Sequence, residues 1–209
     1  IFKFKMNFLY VKKADFFYCR AKKYYEHNKN HFLISKKTKI IWGHQKDYEF
    51  FLKNKKLKLK KNNKKILFLD QNVPFHSDLI ALGVADINPK KYYNSINTFL
   101  KKISKKFKIK AHVCCHPRAD KEKLKKFFPK ISLSQGDTMQ QIRNAKILLV
   151  HDSTALNLGI LYSKPIIYII NNSLISSKWD HSKEVKYASS KLKKSTYNID
   201  QEKKLIFKN

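Results

Sequence analysis

Arginine is nearly missing from this strongly basic chain: only Arg20, Arg118 and Arg143 stand among 46 basic residues, against 15 acidic ones and a net charge of +31. Base and phosphate forks draw on arginine's planar guanidinium, whereas lysine supplies a point charge. We therefore read the charge as a bias toward lysine across most polar positions and expect no nucleic-acid partner, although charge alone also fits a basic nucleic-acid-binding module. The lysines leave open peripheral attraction to an anionic membrane surface or to acidic glycans.

Cysteine is scarce too. Cys19, Cys114 and Cys115 are odd in number and show no CxxC spacing, and two are neighbours in an apolar run, so they read as small core residues rather than disulfide or metal ligands. No apolar run approaches the roughly 18 residues of a membrane span. The segment from Ile1 to Tyr10 carries early apolar strand signals, but lysines interrupt it and it has neither an h-region nor a small-residue cleavage site. The expected compartment is the cytoplasm, with the inner face of the plasma membrane as a site of charge attraction. A GxGxxG fingerprint and internal repeats are both missing, which removes the usual dinucleotide signal.

What is present favours a globular protein. Hydrophobic residues make up 43% and aromatics 13% of 209 residues, enough to form a core despite the charge. The length suits one α/β domain, or one domain with part of another. The chain opens at Ile1 rather than Met, so we expect an upstream part of a longer protein. Lys53 to Lys65 holds eight lysines and two leucines and reads as a solvated connector. Before it, Lys39 to Trp42 is a strand candidate and Lys46 to Leu52 a short helix. The organisation expected is therefore residues 1–52 as the remnant of an N-terminal acceptor-side domain, 53–65 as connector, 66–190 as a Rossmann-like domain and 191–209 as a basic tail.

Beyond the connector, apolar runs alternate with amphipathic stretches, the pattern of βαβ units and a parallel sheet with helices on both faces. Strands are predicted at 66–69, 109–115, 131–133, 146–150 and 165–170, and helices from Pro89 to Phe107 and over 120–128, 138–145 and 153–162. In the Pro89 helix, Tyr92, Tyr93, Ile96, Phe99, Leu100, Ile103 and Phe107 recur at helical spacing. Every strand of such a sheet delivers its next residues to one edge, where ligands bind.

The strand-end residues are therefore the informative ones. His116 follows the second strand, and Pro117 fixes the backbone beyond it; there a histidine can stabilise an oxyanion or protonate a leaving phosphate, or simply bond a loop carbonyl. Ser153 and Thr154 open the fourth helix, as an ordinary cap or as hydroxyls beside unsatisfied amides that suit phosphate. Gly136, Asp137 and Thr138 offer a turn and cap, or a base or ribose contact. Asp70 and Asp78 follow the first strand, with His76 between them, and either carboxylate is a candidate general base.

The pairing of Cys115-His116-Pro117-Arg118 with His151-Asp152-Ser153-Thr154-Ala155-Leu156, about 35 residues apart, resembles the HP and S-S/T motifs of bacterial sialyltransferases and polysialyltransferases. The stretches from Phe68 to Leu79, Lys90 to Lys102 and Asn157 to Ile169 look like capsule and surface-polysaccharide biosynthesis proteins, similar in layout to GT-B transferases. The resemblance covers about Ile40 to Leu174. It implies that His116 assists departure of the nucleotide phosphate, and that Ser153 and Thr154 hold that phosphate. His151, Pro117, Arg118, Gly136 and Thr138 complete the candidate donor contacts.

The implied donor is CMP-linked, the acceptor is a glycan or glycolipid, and no cofactor or metal is expected beyond the nucleotide sugar. The family's acidic D/E-D/E-G base motif is matched at Asp70 alone, since Gln71 and Asn72 follow it. The expected activity is a metal-independent, inverting sugar transfer onto a surface polysaccharide or lipooligosaccharide, from a chain that carries the donor-binding half of a GT-B fold. A nucleotide-sugar epimerase or a CDP-glycerol-type phosphotransferase would use the same fold.

Overall fold

The computed structural model describes residues 11–56 and 65–201. The chain divides into two compact units, Ile1–Lys53 and Asn54–Asn209. The first contains β1 (Phe16–Cys19), α1 (Lys22–Asn28), β2 (Lys39–Trp42) and most of α2 (Lys46–Asn54). Its two strands pair in parallel. The strand and helix expected at β2 and α2 are present; β1 and α1 are too short to stand out in the sequence. Among the described residues of this unit, Cys19 and Thr38 are buried, while Phe16, Tyr18, Ile41 and Trp42 are exposed. The strand signals expected within Ile1 to Tyr10 lie outside the described residues, as do 57–64 of the expected connector.

The second unit is α/β. Its strands are β3 (Lys65–Leu69), β4 (Lys110–Cys115), β5 (Ser132–Gln135), β6 (Ile147–Val150), β7 (Ile166–Ile170) and β8 (Thr196–Asn198). They form one sheet in the order β5-β4-β3-β6-β7-β8, parallel throughout. Numbered within the unit, that order is 3-2-1-4-5-6, the doubly wound Rossmann arrangement. Between the strands run α3 (Ser77–Ala81), α4 (Pro89–Phe107), α5 (Lys121–Lys125), α6 (Thr138–Asn144), α7 (Leu156–Leu161), α8 (Asn172–Ile175) and α9 (His181–Lys191). Right-handed crossovers place α4 and α5 on one face and α6, α7 and α9 on the other.

Local chemistry explains the main elements. The central strands β3 and β6 are buried on both faces, so they read as continuous apolar runs without alternation. Helix α4 begins where the Asn88 side chain accepts from the Lys91 amide at 3.0 Å, with Pro89 in the first turn. It ends where Lys108 turns left-handed at φ 53°. Tyr92, Tyr93, Ile96, Phe99, Leu100 and Ile103 are all buried along its inner face, whereas Phe107 is half-buried. Removing those six side chains from water contributes on the order of 10 kcal/mol before entropy is counted.

Two boundaries move. The helix expected from Ser153 begins only at Leu156, because Ser153 to Leu156 form a turn centred on Thr154 and Ala155, in which the Leu156 amide bonds the Ser153 carbonyl at 2.9 Å. Helix α7 then packs so tightly on β6 that a Cβ on Gly159 would collide with Leu148 Cδ1. The sheet unit also continues past residue 190, because β8 adds a sixth strand inside the segment expected to be a basic tail. Thr196, Tyr197 and Asn198 are half-buried and polar, as suits an edge strand. The Ile199 amide bonds the Ile170 carbonyl at 2.9 Å, and Asp200 accepts from the Asn172 amide at 2.7 Å.

Candidate functional site

In a 3-2-1-4-5-6 sheet the chain leaves β3 toward one side and β6 toward the other, which opens a crevice between their carboxyl ends. In dinucleotide-binding proteins glycines keep that crevice free for a pyrophosphate. Here side chains fill it. The Gln71 side chain donates through Nε2 to the Asp152 carbonyl and accepts from the Asp152 amide at 3.2 Å, joining the β3 and β6 exits. Asn72, in the left-handed region at φ 55°, is buried with Val73 and Pro74.

Asp70 lies beneath this plug and is 5% exposed. Neither carboxylate oxygen has a hydrogen-bond partner of good geometry. Burial pushes its pKa up to about 7; the Asn72 and Gln71 amides and the Tyr93 hydroxyl oppose that shift only in part. Asp70 therefore has the proton affinity of a base at neutral pH but no exposed oxygen. Asp78 is the reverse. It is exposed and sits 3.4 Å from Arg118 Nη1; its bond with Ser77, then the charges of His76 and Arg118, hold its carboxyl below the usual range. Neither candidate combines access with basicity.

His151 is corrected from donor contact to core residue. It is fully buried, donates from Nδ1 to the Ile169 carbonyl at 2.6 Å and accepts at Nε2 from the Tyr92 hydroxyl at 2.8 Å. Burial lowers its pKa to about 4, so the ring is neutral and both nitrogens are committed. Next in the chain, Ser153 is half-buried and Thr154 exposed. Ser153 Oγ accepts from the Ala155 amide at 3.3 Å. The two hydroxyls thus line the β6 exit, on a turn rather than on the first turn of a helix.

The β4 exit is built differently. His116 to Ala119 form a turn closed by the Ala119 amide on the His116 carbonyl at 2.9 Å, with Pro117 in the position where a fixed φ favours it. Gln135, at the end of β5, gathers this turn by donating to the carbonyls of His116 at 3.2 Å, Pro117 at 3.1 Å and Ala119 at 2.6 Å. His116 is half-buried, and its Nδ1 accepts from the Arg118 amide at 3.2 Å. The neutral ring therefore carries its proton on Nε2. Burial, then the charges of His76 and Arg118, lower its pKa.

A second histidine stands beside it. His76 and His116 have ring centroids 5.4 Å apart. His76 accepts at Nδ1 from the Asp78 amide at 3.3 Å and caps α3, so its neutral ring also carries the proton on Nε2. Arg118 reaches the same place, with Nη1 2.8 Å from Ser77 Oγ. The sequence singles out His116 but assigns His76 no role; the signal lies in the topology, since a residue seven beyond β3 and one immediately after β4 meet only because those strands are neighbours.

Strands β4 and β6 flank β3, so the His116 and Ser153 exits stand about 10 Å apart at the usual strand spacing. Gly136 and Thr138 stand on the other side of the His116 exit, since β5 pairs with β4. They follow β5, the outermost strand on that side; Gly136 takes a positive φ of 75° in an exposed turn, and Thr138 Oγ1 lies 3.6 Å from Cys114 Sγ. Asp137, not Thr138, occupies the capping position of α6. No group of three or more metal-ligating side chains occurs among the described residues. No helix among them is long and apolar enough to cross a membrane.

Fold and site together define an α/β protein with a Rossmann-like parallel sheet, a side-chain-filled switch point and a histidine-arginine cluster at one strand exit. The chain matches no known family model and no curated protein.

Proposed function

We propose that the α/β unit is the donor-binding half of a GT-B glycosyltransferase, one that moves a sugar from a nucleotide donor to a surface polysaccharide or lipooligosaccharide with inversion. The observation that carries this reading is the pairing at one sheet edge of His116, with a protonated Nε2 beside Arg118, and the Ser153 and Thr154 hydroxyls two strands away. The motif resemblance favours a CMP-linked donor. A peripheral place on an anionic membrane face would suit the lysine-rich surface and a glycolipid acceptor.

In the proposed reaction an acceptor hydroxyl attacks the anomeric carbon, and the bond from that carbon to the phosphate oxygen breaks. The oxygen leaves with the bonding pair as a phosphate oxyanion, and the neutral His116 stabilises it with a hydrogen bond from Nε2–H. Ser153 and Thr154 donate to other oxygens of the phosphate. The acceptor proton passes to a base that we place outside the Asp70 and Asp78 pair, since one is sealed and the other is ion-paired.

The test is donor turnover by the full-length enzyme with His116→Ala. A fall of about 10² to 10³ is expected for the loss of one oxyanion-stabilising donor. Unchanged turnover would remove His116 from the mechanism. Thermal stabilisation by CMP, set beside CDP and UDP, should identify the nucleotide, and no shift with any of them counts against a nucleotide-sugar enzyme.

A further inference from the structure

The β6 exit faces two ways. Toward β4 it shares the sheet edge with His116; toward β7 it meets helix α9, which packs on β7 and β8. Between the exit and that helix lies an open cavity of about 510 Å³, lined by Asp152, Lys183, Glu184, Tyr187 and Ala188. Its size falls among the roughly 300 to 1,000 Å³ of small-molecule sites. The donor contacts argued above leave it unused.

The lining suits a polyhydroxylated ligand. Two carboxylates and an ammonium group meet an exposed tyrosine ring. Carboxylates accept hydroxyl protons, and the negative face of an aromatic ring suits the C–H faces of a sugar. Lys191, one turn further along α9, holds the Tyr187 ring from one side at 4.6 Å.

The charged groups of the cavity are not equivalent. Glu184 is engaged, with its Oε2 2.7 Å from His181 Nδ1, and Lys183 is drawn to Asp180 at 3.4 Å. Among the described residues nothing donates to the Asp152 carboxylate, while Gln71 fixes its backbone through both the amide and the carbonyl. Burial raises the Asp152 pKa; the charge of His181 opposes that rise and the charge of Glu184 adds to it. Asp152 is half-buried, so it is reached more easily than the sealed Asp70, and no arginine pairs with it as Arg118 does with Asp78.

We propose that the cavity between the β6 exit and α9 is the acceptor-sugar site, and that Asp152 is the base that takes the proton of the attacking hydroxyl. The role as base rests on the transferase reading; the sugar site rests on the cavity itself. Inversion needs acceptor and leaving group on opposite sides of the anomeric carbon. A phosphate between His116 and Ser153 lies on the β4 side of the β6 exit, and the cavity lies on the β7 side. The acceptor oxygen bonds the anomeric carbon as its proton passes to an Asp152 oxygen, and the pair of the broken C–O bond leaves on the phosphate.

The test uses the full-length protein with CMP-, CDP- and UDP-linked sugars as donors and methyl glycosides of galactose, glucose and N-acetylglucosamine as acceptors. Asp152→Asn keeps the side-chain shape and the Gln71 bonds but cannot take a proton, and should lower transfer by about 10² to 10⁴. Azide attacks as an anion and needs no base, so it should restore donor cleavage in Asp152→Asn, giving the glycosyl azide. It should not rescue Ser153→Ala, whose defect lies on the leaving phosphate. Wild-type transfer by Asp152→Asn, or a loss that azide does not rescue, overturns the base. Glycoside binding without donor is read separately by ligand-observed NMR titration. Asp152→Asn should weaken it about tenfold, the scale of one hydrogen bond to a charged group, and Tyr187→Ala should weaken it as well, with thermal unfolding not lowered in either. No glycoside binding by wild type, or binding that neither substitution changes, overturns the sugar site. Binding through Asp152 and Tyr187 without turnover of any nucleotide sugar would sink the transferase reading, and the base with it, and leave the sugar site standing.

Discussion

His116 and His151 occupy equivalent places, each the first residue after a buried strand of the same sheet, yet they have opposite fates. His116 is half-buried with one nitrogen held by a backbone amide, while His151 has no exposure and both nitrogens bonded. The difference is what covers each strand end. Over β6 lies the first turn of α4, which brings the Tyr92 hydroxyl, and beside it runs β7, which brings the Ile169 carbonyl. Over β4 lies only a four-residue turn held from outside by Gln135. A strand-end histidine becomes a chemical group only where its roof is thin.

Substituting each histidine should separate the two roles. His116→Ala should remove most donor turnover, as above, with a stability change within about 0.5 kcal/mol, because a partly exposed ring leaves no buried group unpaired. His151→Ala should do the converse. It strands the Tyr92 hydroxyl and the Ile169 carbonyl in the core and should cost about 3 kcal/mol in urea unfolding, with turnover per folded molecule retained.

Protonation sharpens the contrast further. His151 has its pKa lowered to about 4, so the unfolded chain binds more protons and stability falls as pH drops from about 6.5 toward 4. Asp70, raised to about 7, works in the opposite direction: the native state holds the extra proton, and stability falls as pH rises from about 4 through 7. The two slopes oppose each other over most of that window. Asp70→Asn should therefore raise stability by about 3 kcal/mol at pH 7.5 and by little at pH 4, so that unfolding curves across pH show the rise due to His151 more plainly. A flat profile in that variant would argue against a neutral, buried His151.

The smallest expected effect tests the β6 side alone. Gly159→Ala forces a methyl against Leu148 and should cost about 1 to 3 kcal/mol by overpacking. Urea unfolding checks that cost, and if α7 shifts to make room, the thermal stabilisation by CMP proposed above should shrink with it, because Ser153 and Thr154 stand just before its first residue.

Much of this arrangement was legible in the residues because apolar runs and helical spacing are local. The strands β3, β4, β6 and β7 and the helix α4 follow from them, and so does the common edge that carries His116 and Ser153. The rest depends on contacts between distant segments. Strand β8 is three polar residues stabilised by pairing with β7, so no apolar run announces it. The burial of His151 is set by Tyr92, 59 positions earlier in the chain. His76 gains its meaning from a neighbour 40 positions on, and Gln135 from a turn it reaches across a strand boundary. Thr138 looked like a cap because its hydroxyl suits one, but the left-handed turn through Gly136 and Asp137 starts the helix one residue sooner.

The Gln71 amide has a consequence for recognition as a whole. By bonding both the amide and the carbonyl of Asp152, it supplies an extra rung beyond the last residues of β3 and β6, so the two exits cannot spread apart independently. A ligand that spans them meets a mouth whose width is already set. Association then loses less to loop ordering, and a ligand spanning the two exits would be selected by whether its length matches that fixed gap rather than by how well the protein can close around it.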